Sequence, residues 1–329
     1  MSYSHVNEEE RYELGDLKHE GFSQKQIALL LGRSPSTISR ELRRNKGGRG
    51  WRPGQANLLA EERLKVRGTS NAPRVSDVAW DYAVQHLRED QWSPEQISGR
   101  IELEGKGRIS YETIYQKILE DKRDGGNLHT YLRCQKKRKK RYGSKSARSS
   151  AIPNRVDISS RPAIIDDRKR FGDWEGDTII GSHKGGAVIA SMVERKSRFT
   201  VLVKSENKTT KAVISGINDK MKPIASLVHS ATFDNGTEFC GHEKLASTLD
   251  AKTYFATPYH SWERGLNEHT NGLVRQYFPK KQPFDNISHD EVQGVADKLN
   301  FRPRKCLNFH TPFEIFSKAC QRAGIALRI

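Results

Sequence analysis

Between Arg133 and Ser150 the chain reads RCQKKRKKRYGSKSARSS, with nine Lys or Arg and no Asp or Glu. So charged a stretch has too little apolar surface to bury, and no core can run through it. It is expected to stay mobile or to track phosphates without reading sequence, through Lys137, Arg138 and Lys140 among others. A nuclear localisation signal has the same look, so its value as an address is weak. The run divides 329 residues, enough for more than one domain, into a helical half and a half of alternating strands and helices. The boundaries read as two helical domains over 1–65 and 71–130, a basic linker over 131–165 and an α/β domain over 166–329.

The same bias extends along the whole chain, whose 57 Lys+Arg against 40 Asp+Glu give a formal charge of +17. Such an excess favours a polyanion, nucleic acid first and an acidic membrane surface second. Cys134, Cys240, Cys306 and Cys320 lie far apart and form no CxxC, which removes a zinc ribbon and a disulfide-stapled secreted domain. The N-terminal MSYSHVNEEERYELG has no apolar signal region, and no run is apolar enough to span a membrane. A cytoplasmic protein associated with DNA is the expectation.

In the first domain, Glu8 to Glu20 reads as a helix, followed by FSQKQIALLLGRSPSTISRELRRN. Ile27, Leu30 and Leu31 form a short apolar face, Gly32 breaks it, and Ser34-Pro35 supplies an N-cap with proline at the first helical position. Ile38 and Leu42, four residues apart, dock the second helix on the first. Ser36, Thr37, Ser39, Arg40, Arg43 and Arg44 are then free to meet a duplex, which is the layout of a helix-turn-helix. A small helical hairpin with a solvated arginine face is the alternative.

The second domain contains QWSPEQISGRIELEGKGRISYETIYQKILE. Ser93 and Gln96 suit a capping box, and Ser110 caps a second helix with Ile114, Tyr115 and Ile118 on its apolar side. Tyr111, Glu112, Thr113 and Lys117 point outward as candidate DNA contacts, with packing or dimerisation the other use of this helix pair.

After the linker, FGDWEGDTII, GGAVIASMVE and RFTVLVKS read as three strands, and Lys208 to Lys220 as a helix. LVHSATFDNGTEF gives a strand ending in a turn at Asp234-Asn235-Gly236, followed by a short helix over 244–249, a strand around 253–256 and a helix across Glu268. This order predicts a mixed sheet with helices against it. Asp177 and Asp234 fall at or just beyond strand ends, and if those strands are neighbours both acids reach one point. Glu268, in GLNEHTNG, can add a third carboxylate from a crossing helix or be a surface glutamate, and Glu263 is its rival. Two or three carboxylates suit Mg2+, which takes oxygen ligands and keeps part of its water. Two such ions serve in-line phosphoryl transfer.

Asp177 in WEGD, Asp234 in DNGTEF and Glu268 in GLNEHTNG resemble the acidic triad of DDE transposases. The likeness covers nearly the whole chain. It includes SQKQIALLLGRSPSTISREL, WSPEQISGRI, ISYETIYQ, YHSWERGLNEHTNGLVRQYFPK and LNFRPRKCLNFHTPFEIF, and it points to the insertion-sequence-thirty family. That resemblance implies a ribonuclease H-like α/β catalytic core preceded by all-α helix-turn-helix domains. It also implies a triad that binds Mg2+ or Mn2+, two ions per site, with Asp177, Asp234 and Glu268 as ligands. The 33 residues between Asp234 and Glu268, and the basic Arg275 seven positions after the glutamate, fit the family pattern. Seven residues make nearly two helical turns, so Arg275 shares the face of Glu268 and is placed to hold a substrate phosphate. His269 stands where the family more often has asparagine, and it carries no assigned catalytic role.

The expectation is a transposase that binds the terminal inverted repeats of its element, cuts them and joins them to target DNA as a homodimer or larger assembly. A DNA-binding regulator with an inactive catalytic domain, and a nuclease that cuts without joining, are the competing functions.

Overall fold

The computed structural model describes residues 5–70, 75–133, 152–182, 186–258 and 260–326. Lys137, Arg138 and Lys140 lie outside them. The chain separates into two compact units, Met1–Arg74 and Val75–Ile329. Among the described residues, no helix is long and apolar enough to cross a membrane.

The first unit comprises α1 (Glu8–His19), α2 (Gln24–Leu30), α3 (Pro35–Arg44) and α4 (Pro53–Ser70). Asn7, Ser23 and Ser34 each cap a helix start by accepting a backbone N–H, and Pro35 occupies the first turn of α3 as expected. Leu14, Ile27, Ala28, Ile38, Trp51 and Ala56 make the core. Leu30 is not part of it: it is 56% exposed, because the stripe that buries Ile27 runs through Ala28 and Leu31 instead. A buried ion pair, Arg11 Nε to Glu41 Oε1 at 2.8 Å, ties α1 to α3.

The second unit begins with α5 (Asp77–Arg88), α6 (Pro94–Leu103) and α7 (Tyr111–Arg123). The Ser93–Gln96 capping box opens α6 and Ser110 caps α7, as the sequence indicates. These helices share a core of Tyr82, Leu87, Ile97, Ile101, Ile114 and Ile118. Tyr115 faces outward instead, since Ile114 and Ile118, four apart, already define the buried stripe.

The sheet domain follows. Its elements are α8 (Ala163–Asp166), β1 (Asp173–Ile180), β2 (Val188–Glu194), β3 (Thr200–Ser205), α9 (Thr210–Met221), β4 (Ser230–Phe233), α10 (His242–Leu249), β5 (Lys252–Phe255), α11 (Gly265–Tyr277), α12 (His289–Asn300) and α13 (Pro312–Arg322). The five strands order as β3-β2-β1-β4-β5. The first three are antiparallel, and β4 and β5 run parallel to β1, which is the ribonuclease H-like arrangement expected. One face carries Trp174, Met192 and Phe233 against Val213 and Ile217 of α9, Leu245 of α10 and Phe316 of α13. The other carries Ile179, Ile189 and Leu202 against Leu273 and Val274 of α11 and Val292, Ala296 and Leu299 of α12.

The α5–α7 helices pack on the C-terminal segment within this unit. Arg100 of α6 forks onto Glu314 of α13 with contacts of 2.8 and 2.6 Å. A Cβ at Gly99 would stand 2.3 Å from the Phe309 ring, so only glycine lets that ring lie flat on α6. Phe309 thus packs half-buried against α6 rather than standing as an open stacking surface.

Candidate active site

Alternation along β1 sends Trp174 and Gly176 to one face and Glu175, Asp177 and Ile179 to the other. At Gly176 a Cβ would fall 2.3 Å from the Phe233 ring, so the glycine of WEGD lets that ring lie across β1. The parallel register pairs Asp173 with Ser230, Trp174 with Ala231 and Glu175 with Thr232. Carried forward by two residues, that register puts Asp177 opposite Asp234. The sequence placed Asp177 near a strand end. It lies inside β1, at the level where β4 stops, because the β1–β2 pairing continues to Ile180.

Both carboxylates converge on one cation. The Arg264 guanidinium stands 3.6 Å from Asp177 Oδ2 and 3.7 Å from Asp234 Oδ2, and it also donates to the Gly176 carbonyl at 3.3 Å. Burial raises the pKa of both acids. For Asp234 burial acts first and the Asp177 charge second, and together they push it up to about 6 against the opposing pull of Arg264. Two half-buried acids around one positive charge present the oxygen donors that a hard cation takes.

Helix α11 runs alongside β1. The Asn267 N–H donates to Glu175 Oε2 at 3.2 Å, Asn271 Nδ2 to Asp177 Oδ2 at 2.8 Å, and Arg275 Nη2 to the Ile180 carbonyl at 2.6 Å. Ser191 of β2 holds Asn271 in turn, by a 2.9 Å bond to its Oδ1. Glu268 is exposed in the first turn, three residues before Asn271 and so next to it on the helix surface. It makes no hydrogen bond or ion pair among the described residues, and no group of three metal-ligating side chains is assembled among them. Arg275 is bound to Ile180, three residues beyond Asp177 and so roughly 10 Å from it, and its guanidinium lies 5.6 Å over the Phe284 ring.

Three residues of this region escaped the sequence reading. Glu175 is fully buried and pairs with Arg195 at 3.1 Å, beneath the start of α11. Its place two residues before Asp177 on the same strand face was the available signal. Asn271, one turn after Glu268, was another. Glu238 gave no signal, since DNGTEF reads as a turn. It is buried, accepts from Thr178 Oγ1, pairs with Lys208 at 3.1 Å and adds to the field that raises both aspartates. A Cβ at Gly236 would meet its carboxylate at 2.6 Å, so a side chain there would displace that carboxylate, and the glycine's φ of −72° is ordinary.

Elsewhere, Ser36, Ser39, Arg40, Arg43 and Arg44 are exposed on α3, while Thr37 is half-buried against the capping Ser34. Tyr111 and Lys117 are exposed on α7, and Thr113 is held by Ser110 at its N-terminus.

A model of the helix-turn-helix domain matches residues 2–45. The transposase for insertion sequence element IS4351 of Bacteroides fragilis is 40% identical over 324 residues, covering 98% of each chain. Transposase InsI of element IS30A from Escherichia coli is 36% identical over 338 residues, covering 98% of this chain and 85% of its own. Among solved structures, the catalytic core domain of HTLV-2 integrase in complex with magnesium is similar at 18% identity. It covers 44% of this chain and 94% of its own, at a TM-score of 0.33 that carries no argument about function. With one register bringing two aspartates together and relatives matched almost end to end, the chain belongs to the insertion-sequence transposase family of IS30 and IS4351, DDE-type transposases with an N-terminal helix-turn-helix.

Proposed function

We propose that this chain is an active transposase. Its N-terminal helices read the terminal inverted repeats of its element, and its sheet domain cuts and rejoins DNA at Asp177, Asp234 and Glu268. The observation that carries this reading is the convergence of Asp177 and Asp234 on one cation at 3.6 and 3.7 Å.

Asp177 and Asp234 are the residues to hold Mg2+ or Mn2+, with Glu268 reaching in from α11 once DNA is bound. When bound, the ions supply Lewis-acid activation of the attacking and leaving oxygens. In the first step a water oxygen attacks the phosphorus at the element end. The bond to the 3′-oxygen breaks, leaving a 3′-hydroxyl on the element and a 5′-phosphate on the flank. In the second step that hydroxyl attacks a target phosphorus and displaces the target's own 3′-oxygen. Both steps are the same displacement at phosphorus, so one acidic site serves both. Asn271, braced by Ser191, keeps Asp177 aimed by its 2.8 Å bond. Arg40, Arg43 and Arg44 of α3 present the cationic face suited to a major groove. Holding two element ends at once calls for a homodimer or larger assembly.

Paired element ends incubated with a target plasmid and Mg2+ distinguish the alternatives. Nicked ends together with end–target joints support the transposase. Nicks without joints indicate a nuclease, and binding without nicks indicates a regulator.

A further inference from the structure

Four arginines gather beside the catalytic helix with no acid in ion-pair contact among the described residues. Arg302 is 2% exposed and Arg304 8%. Arg198, in the turn between β2 and β3, is half-buried, and Arg133 is exposed. None of the four forms an ion pair among the described residues. Arg302 Nη2 donates to the Tyr277 hydroxyl at 2.6 Å and to the Asp90 carbonyl at 3.2 Å, while the Asp90 carboxylate turns to His86 at 2.6 Å. Among the described residues Arg304 Nη2 donates to the Leu299 carbonyl alone, at 3.1 Å. Three buried nitrogens, Arg198 Nη1, Arg302 Nε and Arg304 Nε, have no hydrogen-bond partner among the described residues.

Buried guanidiniums with neither counter-charge nor full hydrogen bonding are costly, and structures retain them where an anion completes them. Their mutual field is real: burial, then Arg302, Arg133 and Arg198, lower Arg304 to about 10. Burial and the Arg304, Arg133 and Arg198 charges likewise lower the pKa of His269. The cluster is open on its outer side, where Arg133 and His269 are exposed. Arg133 Nη2 would stand 3.2 Å from a Cβ at Gly272, one turn beyond His269, so its guanidinium lies directly on α11.

We propose that Arg133, Arg198 and Arg304, braced by Arg302 and flanked by His269, form a binding site for one backbone phosphate of DNA passing the catalytic helix. The guanidinium fork matches phosphate oxygens, and such a contact fixes register without reading bases. The site rests on the reading of the chain as a DNA-cutting enzyme and adds to it a positioning contact beside Glu268.

The test is fluorescence anisotropy of the full-length protein on duplexes in EDTA, across a salt series, with Arg133→Gln, Arg198→Gln and the double variant. Arg133 is exposed and Arg198 only half-buried, and circular dichroism checks that each variant folds. Removing one phosphate contact lowers the slope of log affinity against log salt by about 0.9. The double variant is expected to show that drop, with roughly tenfold weaker binding on element-end and unrelated duplexes alike. Wild-type affinity and slope in the double variant would overturn the site. So would a loss confined to element ends, which would make the arginines base readers. Inorganic phosphate is titrated in parallel by thermal shift, and stabilisation by phosphate with DNA binding unchanged in the variants would overturn the DNA assignment in favour of a free anion. No cleavage occurs in EDTA, so failure of the cutting reaction and failure of this contact are scored separately.

Discussion

Replacing Arg195 with Met leaves the Glu175 carboxylate alone in the interior. Glu175 is 0% and Arg195 3% exposed, and the pair is separated by 3.1 Å. Breaking one side of such a buried pair costs about 3–5 kcal/mol, most of it the penalty of the charge left behind. In a unit of this size each kcal/mol shifts Tm by about 2–4 °C, so a fall on the order of 10 °C is expected. The double variant Glu175→Gln, Arg195→Met removes both charges, and the amide oxygen can still accept the Asn267 N–H that Glu175 takes at 3.2 Å. It is therefore expected to recover most of the loss, which yields a large coupling energy in a double-mutant cycle. Urea unfolding of the four proteins measures it. A single variant that loses under about 1 kcal/mol, or a double that loses the sum of the singles, would refute the claim that a buried charge pair underlies the start of α11.

Two pH-linked outcomes follow from the shifted acids. The Arg100 hydrogen bonds pull Glu314 from 4.5 down to about 2, so the pair stabilises the fold above pH 4.5 and loses that effect as pH falls towards 2. Glu314→Gln should cost about 1 kcal/mol at neutral pH, discounted for solvent at this partly exposed pair, and the deficit should shrink through that window in acid-unfolding curves. Asp234 is shifted the other way, from 3.8 up to about 6, so its ionisation destabilises the metal-free fold as pH rises through that interval. In EDTA, Asp234→Asn should raise stability by about 1 kcal/mol above pH 6, after the same discount, and leave it unchanged below pH 3.8; destabilisation at pH 7.5 would contradict this.

The parts of the fold that follow from local chemistry were legible in the sequence. Ser34, Ser93 and Ser110 cap the helices they precede, and the valine- and isoleucine-rich runs became β2 and β3. Helix faces were legible only in part. Leu30 and Tyr115 look apolar in sequence, but each lies off the stripe defined by its neighbours. What pairing and tertiary approach decide was hidden. No local pattern gives the 57-residue offset between Asp173 and Ser230 that aligns Asp177 with Asp234. Nor does any local pattern give the return of Arg264 to both acids, or the folding of Glu238 over Gly236. The basic character of FRPRK was plain, yet that Arg302 and Arg304 are buried beside α11 rather than spread on a surface is a result of three-dimensional packing.

The central claim is that Asp177, Asp234 and Glu268 form one metal-dependent site, although Glu268 stands apart from the pair in this structure. The most direct measurement is single-turnover nicking of paired element ends with Mg2+ by Asp177→Asn, Asp234→Asn and Glu268→Gln, with DNA affinity measured alongside. Each variant is predicted to lose at least a thousandfold in rate, about 4 kcal/mol of transition-state stabilisation, while binding DNA as tightly as the parent. A Glu268→Gln protein that nicks at the parent rate would remove Glu268 from the site, and an unchanged rate in either aspartate variant would contradict the account as a whole.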